Sequence, residues 1–209
     1  MYTGIAHGKY RVTVCKKGNG ALKLTIDLGS YGRDLELGAS VAVNGVCLTV
    51  VSKSDGVSSF DVVSETARIS NLGELDSDSY VNVERSFRVG DEVGGHILSG
   101  HVADVAIVES IELRGPEALL KFAVPEAWRQ YVMPKGFVAL NGCSLTVAEF
   151  DRETGVGSIN LIPETLQRTT FGTVKKGDRL NLELDSQTQA IVDTVRAVMS
   201  DKSWIKSIK

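Results

Sequence analysis

The chain repeats itself once, and this internal duplication constrains its fold more than any other feature of the 209-residue sequence. Residues 37–50 align with residues 134–147, and both copies contain the motif Asn-Gly-x-x-Leu-Thr-Val. Gly45 falls on Gly142, 97 residues further along the chain. A period of this length is far longer than a solenoid repeat and is about the size of a small domain. The sequence therefore predicts two tandem domains with the same plan.

Further blocks repeat in the same order. Residues 64–73 match residues 163–172 around a shared Glu-Thr, and Val-Asn-Val-Glu at 81–84 matches Leu-Asn-Leu-Glu at 180–183. Thr3-Gly4 also aligns with Ser99-Gly100, so the second copy begins near residue 98. We therefore expect an N-terminal domain at 1–97, a C-terminal domain at 98–186 and a helical tail at 187–209.

Within each copy the hydrophobic periodicity is that of β-strands. Leu22, Leu24 and Ile26 alternate with polar residues, and Leu180 and Leu182 do the same. Such alternation predicts strands with one face in a core and the other in solvent. Turn signals separate the strands, as at 17–20, 54–56 and 153–155. The pattern predicts an all-β protein of two small closed barrels.

The periodicity changes after Asp185. Residues 186–189, Ser-Gln-Thr-Gln, have the form of a capping box. Apolar residues then recur at helical spacing, at Ile191, Val192, Val195, Val198 and Met199. We expect a helix from about 187 to 200. Its apolar face has two alternative partners, the helix of another subunit or its own barrel.

Composition and charge argue against several classes of partner. The net charge of -3, without a run of Lys or Arg, gives no reason to expect nucleic acid. No apolar stretch approaches the roughly 18 residues of a membrane span, and the N-terminus lacks the layout of a signal peptide, so we expect a cytoplasmic protein with no membrane contact. Cys15, Cys47 and Cys143 form no CxxC pair and are expected to be reduced. No motif predicts a metal site.

Comparison of the two copies singles out a few polar side chains. Cys47 falls opposite Ser144, so a thiol and a hydroxyl occupy one structural position, and Thr49 falls opposite Thr146. The threonines are also ordinary strand residues, and a strand cysteine is commonly buried as a small hydrophobic residue. Packing explains Ser144 less easily.

Histidine distinguishes the second copy from the first. His101 stands where the first copy has Ile5, so the domains differ in their capacity to exchange protons near neutral pH. A structural role is the alternative for His101, and His96 is the weaker candidate. Asp185 ends the last strand just before the helix and has a capping role as its alternative.

Several long motifs, in the right order, resemble the riboflavin synthase family along almost the whole chain. They are the Met-Tyr-Thr-Gly-Ile start, the Asn-Gly-Val-Cys-Leu-Thr-Val block, the Gly-Gly-His-Ile-Leu-Ser-Gly-His-Val block at 94–102, the Ser-Leu-Thr-Val block and residues 162–170. The resemblance implies two tandem six-stranded Greek-key β-barrels, each binding one lumazine, and a homotrimer held together by the C-terminal helices. It puts the working site between the N-terminal barrel of one subunit and the C-terminal barrel of its neighbour.

The resemblance also implies the reaction. Riboflavin synthases are transferases that convert two molecules of 6,7-dimethyl-8-ribityllumazine into riboflavin and 5-amino-6-ribitylaminouracil, the last step of riboflavin biosynthesis. One substrate loses a proton from its C7 methyl group and the other is attacked at C7. The ring delocalises the carbanion, so the protein contributes mainly orientation and modest proton transfer. We expect no cofactor and no metal.

Carried over residue by residue, the resemblance implies a set of catalytic side chains. Ser144 and Asp185 are expected near the methyl group that is deprotonated. Thr146, Lys135 and His101 are expected to line the C-terminal pocket, and Cys47 and Thr49 the N-terminal pocket. The catalytic set is Ser144, Asp185, Cys47, His101 and Thr146.

The resemblance also implies which main-chain groups hold the substrates. Residues 4–6 with 61–66 are expected around one pteridine ring, and residues 100–102 with 162–167 around the other. The substrate-binding set is Gly4, Ile5, Ala6, Cys47, Leu48, Thr49, Asp61, Val62, Val63, Ser64, Glu65, Thr66, Gly100, His101, Val102, Lys135, Ser144, Leu145, Thr146, Ile162, Pro163, Glu164, Thr165, Leu166 and Gln167.

Two positions depart from the family pattern. Tyr2 stands where Phe is usual, and its hydroxyl needs a partner if it is buried. Asn141 stands where the second barrel often has Asp, and we expect it to remain a turn residue.

Two other functions are alternatives, because a fold does not by itself specify a function. One is a non-catalytic lumazine- or flavin-binding fluorescent protein, similar to the lumazine proteins of luminous bacteria. The other is a structural or interaction module, which would expose apolar surface without a polar pocket. Lumazine proteins look degraded in their second half, whereas this chain retains Lys135, Ser144 and Asp185 there, which favours the enzyme.

Overall fold

A computed structural model describes residues 1–18 and 21–201 and shows two β-barrels followed by a helix. The strands of the first barrel are β1 (Gly8–Gly18), β2 (Ala21–Asp27), β3 (Ser40–Val43), β4 (Val46–Ser54), β5 (Val57–Val63) and β6 (Tyr80–Arg85). The barrel is closed in the order β1-β2-β5-β4-β3-β6. This confirms the all-β class and the six-stranded first barrel. The predicted turn at 17–20 lies partly outside the described residues.

The second barrel has the same plan with one strand divided. Its strands are β7 (Asp104–Arg114), β8 (Glu117–Ala123), β9 (Phe137–Leu140), β10 (Cys143–Thr146), β11 (Glu149–Phe150), β12 (Val156–Leu161) and β13 (Arg179–Leu184). They form one curled seven-stranded sheet in the order β10-β9-β13-β7-β8-β12-β11, in which β10 and β11 together correspond to β4. The interruption begins at Val147, which the repeat aligns with Val50, where β4 has an irregularity in its pairing with β5. The N–H of Ala148 donates to the carbonyl of Ser158 at 2.8 Å, so the divided strand stays on β12.

Each barrel carries one short α-helix directly after a strand: α1 (Ser64–Ile69) follows β5, and α2 (Pro163–Arg168) follows β12. The C-terminal helix α3 (Ser186–Ser200) confirms the predicted helix to within one residue. Its N-cap is Asp185, whose carboxylate accepts the Thr188 N–H at 2.9 Å, so the predicted capping box is wrong by one residue. Among the described residues, no helix is long and apolar enough to cross a membrane. Residues 202–209 of the predicted tail lie outside the description.

Alternating apolar residues build one core inside each barrel. Leu24, Ile26 and Phe60 are fully buried in the first core, and Phe122 and Leu180 are fully buried in the second. Burial of each such side chain contributes about 1.5–3 kcal/mol, so either barrel has a sizeable hydrophobic contribution of its own.

The outward face of the last strand in each barrel is buried, so the predicted solvent-facing alternation is wrong for β13. Asn82 in β6 and Asn181 in β13 are each 1% exposed, because these faces lie against the other barrel. Nδ2 of Asn82 donates to the carbonyl of Asn141 at 3.0 Å, and Nδ2 of Asn181 donates to that of Asn44 at 2.8 Å. The two bonds are equivalent under the repeat. Buried amides satisfied in this way set the orientation of the barrels around a local two-fold axis.

Gly45 and Gly142 meet at this axis. Both have positive φ, +80° and +77°, in the turns that the Asn-Gly sequences predict. A Cβ atom on Gly45 would lie 2.7 Å from the nitrogen of Gly142, and the reverse contact is the same. The repeated Asn-Gly motif therefore allows the barrels to approach each other as well as forming the turns. Asn141 has φ 46°, which confirms it as a turn residue.

Candidate active site

Two segments cross between the barrels, residues 2–6 and 98–102, and we call them the first and second crossing segments. They pair through Tyr2 and Leu98, each of whose N–H groups donates to the carbonyl of the other, at 2.8 and 2.9 Å. Tyr2 and Leu98 are equivalent under the repeat. The local two-fold axis therefore relates the crossing segments as well as the barrels.

The first crossing segment lies against Ser144 in β10. The N–H of Ser144 donates to the carbonyl of Gly4 at 2.8 Å, and a Cβ on Gly4 would lie 2.5 Å from Cβ of Ser144. Ala6 packs on the core of the C-terminal barrel. Residues 4–6 therefore belong with Ser144 and the C-terminal pocket. The expectation that they share a pocket with residues 61–66 is wrong, because main-chain hydrogen bonding holds them on the other barrel.

The second crossing segment lies against Cys47 in β4. The N–H of Cys47 donates to the carbonyl of Gly100 at 3.0 Å, and Val102 packs on the core of the N-terminal barrel. Residues 100–102 therefore belong with the N-terminal pocket and not with residues 162–167. His101 is exposed on this segment. Its expected place in the C-terminal pocket is wrong, since its neighbour Gly100 is bound to Cys47 and not to Ser144.

Two buried glutamates, which sequence reasoning missed, anchor the crossing segments. Glu84 accepts the N–H of Thr3 at 2.6 Å, the hydroxyl of Thr3 at 2.8 Å and the N–H of Gly4 at 3.0 Å. Glu183 holds the second crossing segment in the same way, through N–H groups at 2.7 and 3.1 Å. Burial raises the pKa of both carboxyls above the ordinary value, although these hydrogen bonds oppose it. Their signal was the repeated glutamate that stands two residues after the asparagine in the last strand of each barrel.

An open cavity of about 290 Å³ marks the C-terminal pocket. It brings together predicted residues from β10, from α2 and the residue before it, and from the loop before β9. Two further lining residues, Ala148 and Asn160, were not predicted. Its lining residues are Lys135, Ser144, Leu145, Thr146, Ala148, Asn160, Ile162 and Thr165.

His96 is the hydrogen-bond partner of Ser144, although the sequence favoured His101. Nδ1 of His96 lies 2.6 Å from Oγ of Ser144, and the imidazole stacks on Phe137 with ring centroids 5.0 Å apart. Nε2 has no hydrogen-bond partner within residues 1–18 and 21–201. Burial lowers the pKa of His96, and the negative charge of Asp185 partly opposes this. A neutral imidazole is therefore available to exchange a proton with the Ser144 hydroxyl near neutral pH.

Asp185 has the capping role that the sequence offered as its alternative. Its carboxylate caps α3 by accepting the hydroxyl of Thr188 at 2.6 Å and its N–H at 2.9 Å. Burial raises the pKa of Asp185, but these hydrogen bonds and the charge of His96 bring it below the ordinary value. Asp185 therefore carries a negative charge that acts on His96.

On the N-terminal barrel, where the second pocket is predicted, the half-buried Cys47 has Tyr2 as its partner. The Tyr2 hydroxyl lies 3.0 Å from Sγ of Cys47, so the buried phenol has the partner that it needs. Thr49 is exposed two residues along the strand. Leu48 and Val62 point into the core, at 5% and 1% exposed, and so offer only main-chain groups to the pocket.

The two repeated Glu-Thr pairs lie in α1 and α2. Glu65 forms an ion pair with Arg68 at 2.6 Å, and Glu164 forms one with Arg168. Both pairs are exposed and lie within one helix, so the two glutamate side chains are engaged locally. The other predicted residues of these segments divide into an exposed group and a half-buried group. The exposed residues are Asp61, Val63, Ser64, Ile162, Pro163 and Gln167, and the half-buried ones are Thr66, Thr165 and Leu166.

Comparison with known proteins identifies both halves of the chain. The family model of the lumazine binding domain matches residues 3–86 and 99–185. The riboflavin synthase of Escherichia coli (strain K12) is 43% identical over 203 residues, which cover 96% of this chain and 94% of the relative. The riboflavin synthase of Chlamydia trachomatis serovar D is 34% identical over 209 residues, which cover 99% of this chain and 100% of the relative.

Solved structures share the fold. LumP complexed with riboflavin superposes with a TM-score of 0.83 at 24% identity, over 89% of this chain and 100% of that one. LumP complexed with 6,7-dimethyl-8-(1'-D-ribityl) lumazine gives a TM-score of 0.80 with the same coverage. At this identity the likeness shows the two-barrel architecture alone. Because the family model matches both barrels and the sequence identity extends along nearly the whole chain, the chain belongs to the riboflavin synthase family.

Proposed function

We propose that the chain converts two molecules of 6,7-dimethyl-8-ribityllumazine into one riboflavin and one 5-amino-6-ribitylaminouracil by moving a four-carbon unit between them. One observation carries the proposal. Equivalent positions of the two barrels hold a thiol, Cys47, and a hydroxyl, Ser144, and each is bonded to a different side chain. A reaction between two identical substrates that play different parts needs two similar pockets with different chemistry.

In the C-terminal pocket we assign proton transfer to Ser144 and His96. The hydroxyl of Ser144 is half-buried at the cavity and lies 2.6 Å from Nδ1 of His96. A proton removed from the C7 methyl group would pass to the serine oxygen while the serine proton moves to the imidazole. Asp185 stabilises the imidazolium formed in this step through its negative charge. Lys135 and Thr146 line the same cavity and are proposed to orient the ring.

In the N-terminal pocket we assign ligand contacts to Cys47, Thr49 and residues 100–102. The fixed main chain of Gly100 beside Cys47 offers a rigid wall for a planar ring. His101 lies on this side and is proposed to contact the acceptor substrate.

We also propose the predicted domain limits, which are 1–97 for the N-terminal barrel, 98–186 for the C-terminal barrel and 187–209 for the helical tail.

We further propose that the working site is completed by a second subunit in a homotrimer. Val63 and Ile162, at equivalent rims of the two pockets, are 64% and 55% exposed. Ile191, Val195 and Met199 on α3 are also exposed, whereas Val192 packs on its own barrel. Docking one subunit's N-terminal barrel on its neighbour's C-terminal barrel would cover both rims.

The three free thiols support a reducing compartment, and we place the protein in the cytoplasm.

The proposal is tested by incubating the purified, metal-free protein with 6,7-dimethyl-8-ribityllumazine and following riboflavin by absorbance and chromatography. We expect steady formation of one riboflavin for every two lumazines consumed. Tight binding with enhanced fluorescence and no turnover would instead make the chain a lumazine-binding protein. Ser144→Ala, assayed in parallel, is expected to bind the substrate and to turn it over far more slowly.

A further inference from the structure

The hydroxyl of Tyr2 and the thiol of Cys47 form a hydrogen bond that the proposed reaction does not use. Oη of Tyr2 lies 3.0 Å from Sγ of Cys47, and the tyrosine is only 1% exposed. A buried polar group of this kind has a structural consequence, because leaving it unpaired costs free energy.

The hydroxyl is the donor in this bond. Burial raises the pKa of Tyr2 far above its ordinary value, and the neighbouring Cys47 raises it further, so the phenol keeps its proton throughout the working pH range. A phenolic O–H is a stronger donor than a thiol S–H, and sulfur accepts weakly. The sulfur of Cys47 therefore receives the Tyr2 proton, and its own proton is left for another acceptor.

The surrounding main chain holds the two groups in place. Tyr2 is tied to Leu98 through two main-chain hydrogen bonds, and Cys47 is tied to Gly100 through one. Gly100 leaves no space for a side chain, since a Cβ there would lie 2.6 Å from Cβ of Cys47 and 2.9 Å from Cε2 of Tyr2. The main chain of both residues is therefore fixed against the second crossing segment, and the phenol is buried beside the thiol.

The second barrel has no equivalent of this bond. Leu98 occupies the position of Tyr2 and Ser144 occupies that of Cys47, and a leucine offers no hydrogen bond. Ser144 is held instead by His96, which is able to take a proton. The Cys47 thiol is thus bonded to the Tyr2 hydroxyl, which keeps its proton, whereas the Ser144 hydroxyl is bonded to the His96 ring, which can titrate.

We propose that Tyr2 is a positioning residue of the N-terminal pocket: its hydroxyl fixes the Cys47 thiol in one rotamer, with the S–H directed at an acceptor atom of the bound pteridine. This inference rests on the proposed function for the identity of the ligand. The hydrogen bond itself is independent of that function and can be tested without substrate.

The first test measures the reactivity of the thiol. Cys15→Ser leaves Cys47 as the accessible thiol, since Cys143 is buried. A hydrogen bond from the Tyr2 hydroxyl stabilises the reactive anionic form of the sulfur, so Tyr2→Phe in this background should slow alkylation by iodoacetamide about threefold to tenfold. An unchanged or faster rate would overturn the proposal. Tyr2→Phe keeps the buried ring and removes one oxygen atom, so the fold is expected to survive.

The second test measures whether the two side chains act together on the ligand. Fluorescence titration with 6,7-dimethyl-8-ribityllumazine should show weaker binding to the N-terminal pocket in Tyr2→Phe, by about threefold or more. In a Cys47→Ala background the same substitution should have no effect, because the thiol that it positions is gone. In a Cys47→Ser background, which keeps an acceptor, the effect should return. Equal losses in all three backgrounds would show that Tyr2 acts only through packing and would overturn the proposal.

The two proposals fail in different experiments. If the wild-type protein makes no riboflavin, the proposed function is wrong, and the alkylation rates still decide whether Tyr2 positions the thiol. If riboflavin is formed normally and the alkylation rates in the Cys15→Ser background are the same with and without Tyr2→Phe, the proposed function stands and the role of Tyr2 is wrong.

Discussion

Nδ1 of His96 lies 2.6 Å from Oγ of Ser144, two residues that are 48 positions apart in the chain. The contact forms because the chain before the second barrel lies directly against Ser144 in β10. Glycine is needed at position 95 for this approach, since a Cβ there would lie 2.7 Å from Cβ of Ser144. The imidazole is thereby buried against Phe137, with its charge state influenced by Asp185. The contact joins a hydroxyl of the C-terminal pocket to a group able to titrate near neutral pH.

We expect His96→Asn and His96→Ala to separate proton transfer from positioning. The asparagine amide can occupy the place of Nδ1 and keep the bond to Ser144, but it cannot take a proton. Both variants should therefore lower kcat by about a hundredfold, within the range of general acid–base contributions, with KM little changed. Single-turnover kinetics would measure this, with Ser144→Ala as the matched variant. Full turnover in His96→Asn would mean that the histidine only positions the serine.

The lowered pKa of His96 predicts the pH dependence of turnover. Burial lowers this pKa below the ordinary 6.5, so the ring stays neutral until the pH falls below that value. We expect kcat to fall on the acid side with a midpoint below 6.5, and this limb to disappear in His96→Asn. The stability of the protein should also fall on the acid side. The unfolded chain binds the histidine proton at a higher pH than the folded chain does, so the free energy of unfolding decreases as the pH falls from 6.5 towards the folded-state pKa of His96. A midpoint above 6.5 would contradict the assignment.

Asp185→Asn and Asp185→Ala should distinguish the charge of this residue from its capping role. Asparagine keeps an oxygen for the Thr188 N–H, whereas alanine removes the cap, which costs about 1 kcal/mol of stability. We expect both variants to lose turnover and only Asp185→Ala to lose stability in chemical denaturation. Because Asp185 raises the pKa of His96, the acid limb of Asp185→Asn should also shift to lower pH. Normal kinetics in Asp185→Asn would reduce Asp185 to a helix cap.

Glu84→Gln and Glu183→Gln form a matched pair that tests the crossing of the segments. Glu84 lies in the N-terminal barrel but holds Gly4, which is bonded to Ser144, while Glu183 lies in the C-terminal barrel and holds Gly100 beside Cys47. A glutamine in either place turns an NH2 group towards a main-chain N–H and costs about 1–3 kcal/mol. We expect Glu84→Gln to impair the C-terminal pocket and Glu183→Gln the N-terminal one. Ligand titrations that showed each variant damaging the pocket of its own barrel would refute this.

Removal of α3 should dissociate the proposed trimer. A chain ending before Ser186 lacks the exposed apolar residues Ile191, Val195 and Met199, while both barrels remain complete. It also loses the bond between Tyr131 and Asp193, 2.6 Å long, which holds the helix on its own barrel. We expect monomers in sedimentation velocity and loss of turnover. Trimers that survive the truncation would mean that the barrels themselves hold the subunits together.

Several features followed from the sequence because their causes are local. The alternation of Leu22, Leu24 and Ile26 predicted β2, the spacing of Ile191 and Val195 predicted α3, and the Asn-Gly dipeptides predicted their turns. Each depends on residues a few positions apart. The duplication was also detected from the sequence, because finding it required only an alignment of the two halves of the chain.

The sequence by itself thus determined the all-β class, the two equivalent domains, the family and the equivalence of Cys47 with Ser144. Only the tertiary structure decided which partners these two residues have, and it reversed the expected pairing of residues 4–6 and 100–102 with the pockets. It also selected His96 over His101, and it buried both Glu84 and Glu183, the second of which alternation had predicted to face solvent. The physical reason is that these contacts form where two barrels pack against each other. Packing of that kind joins residues about 50 to 100 positions apart, and no local periodicity records which of them will meet.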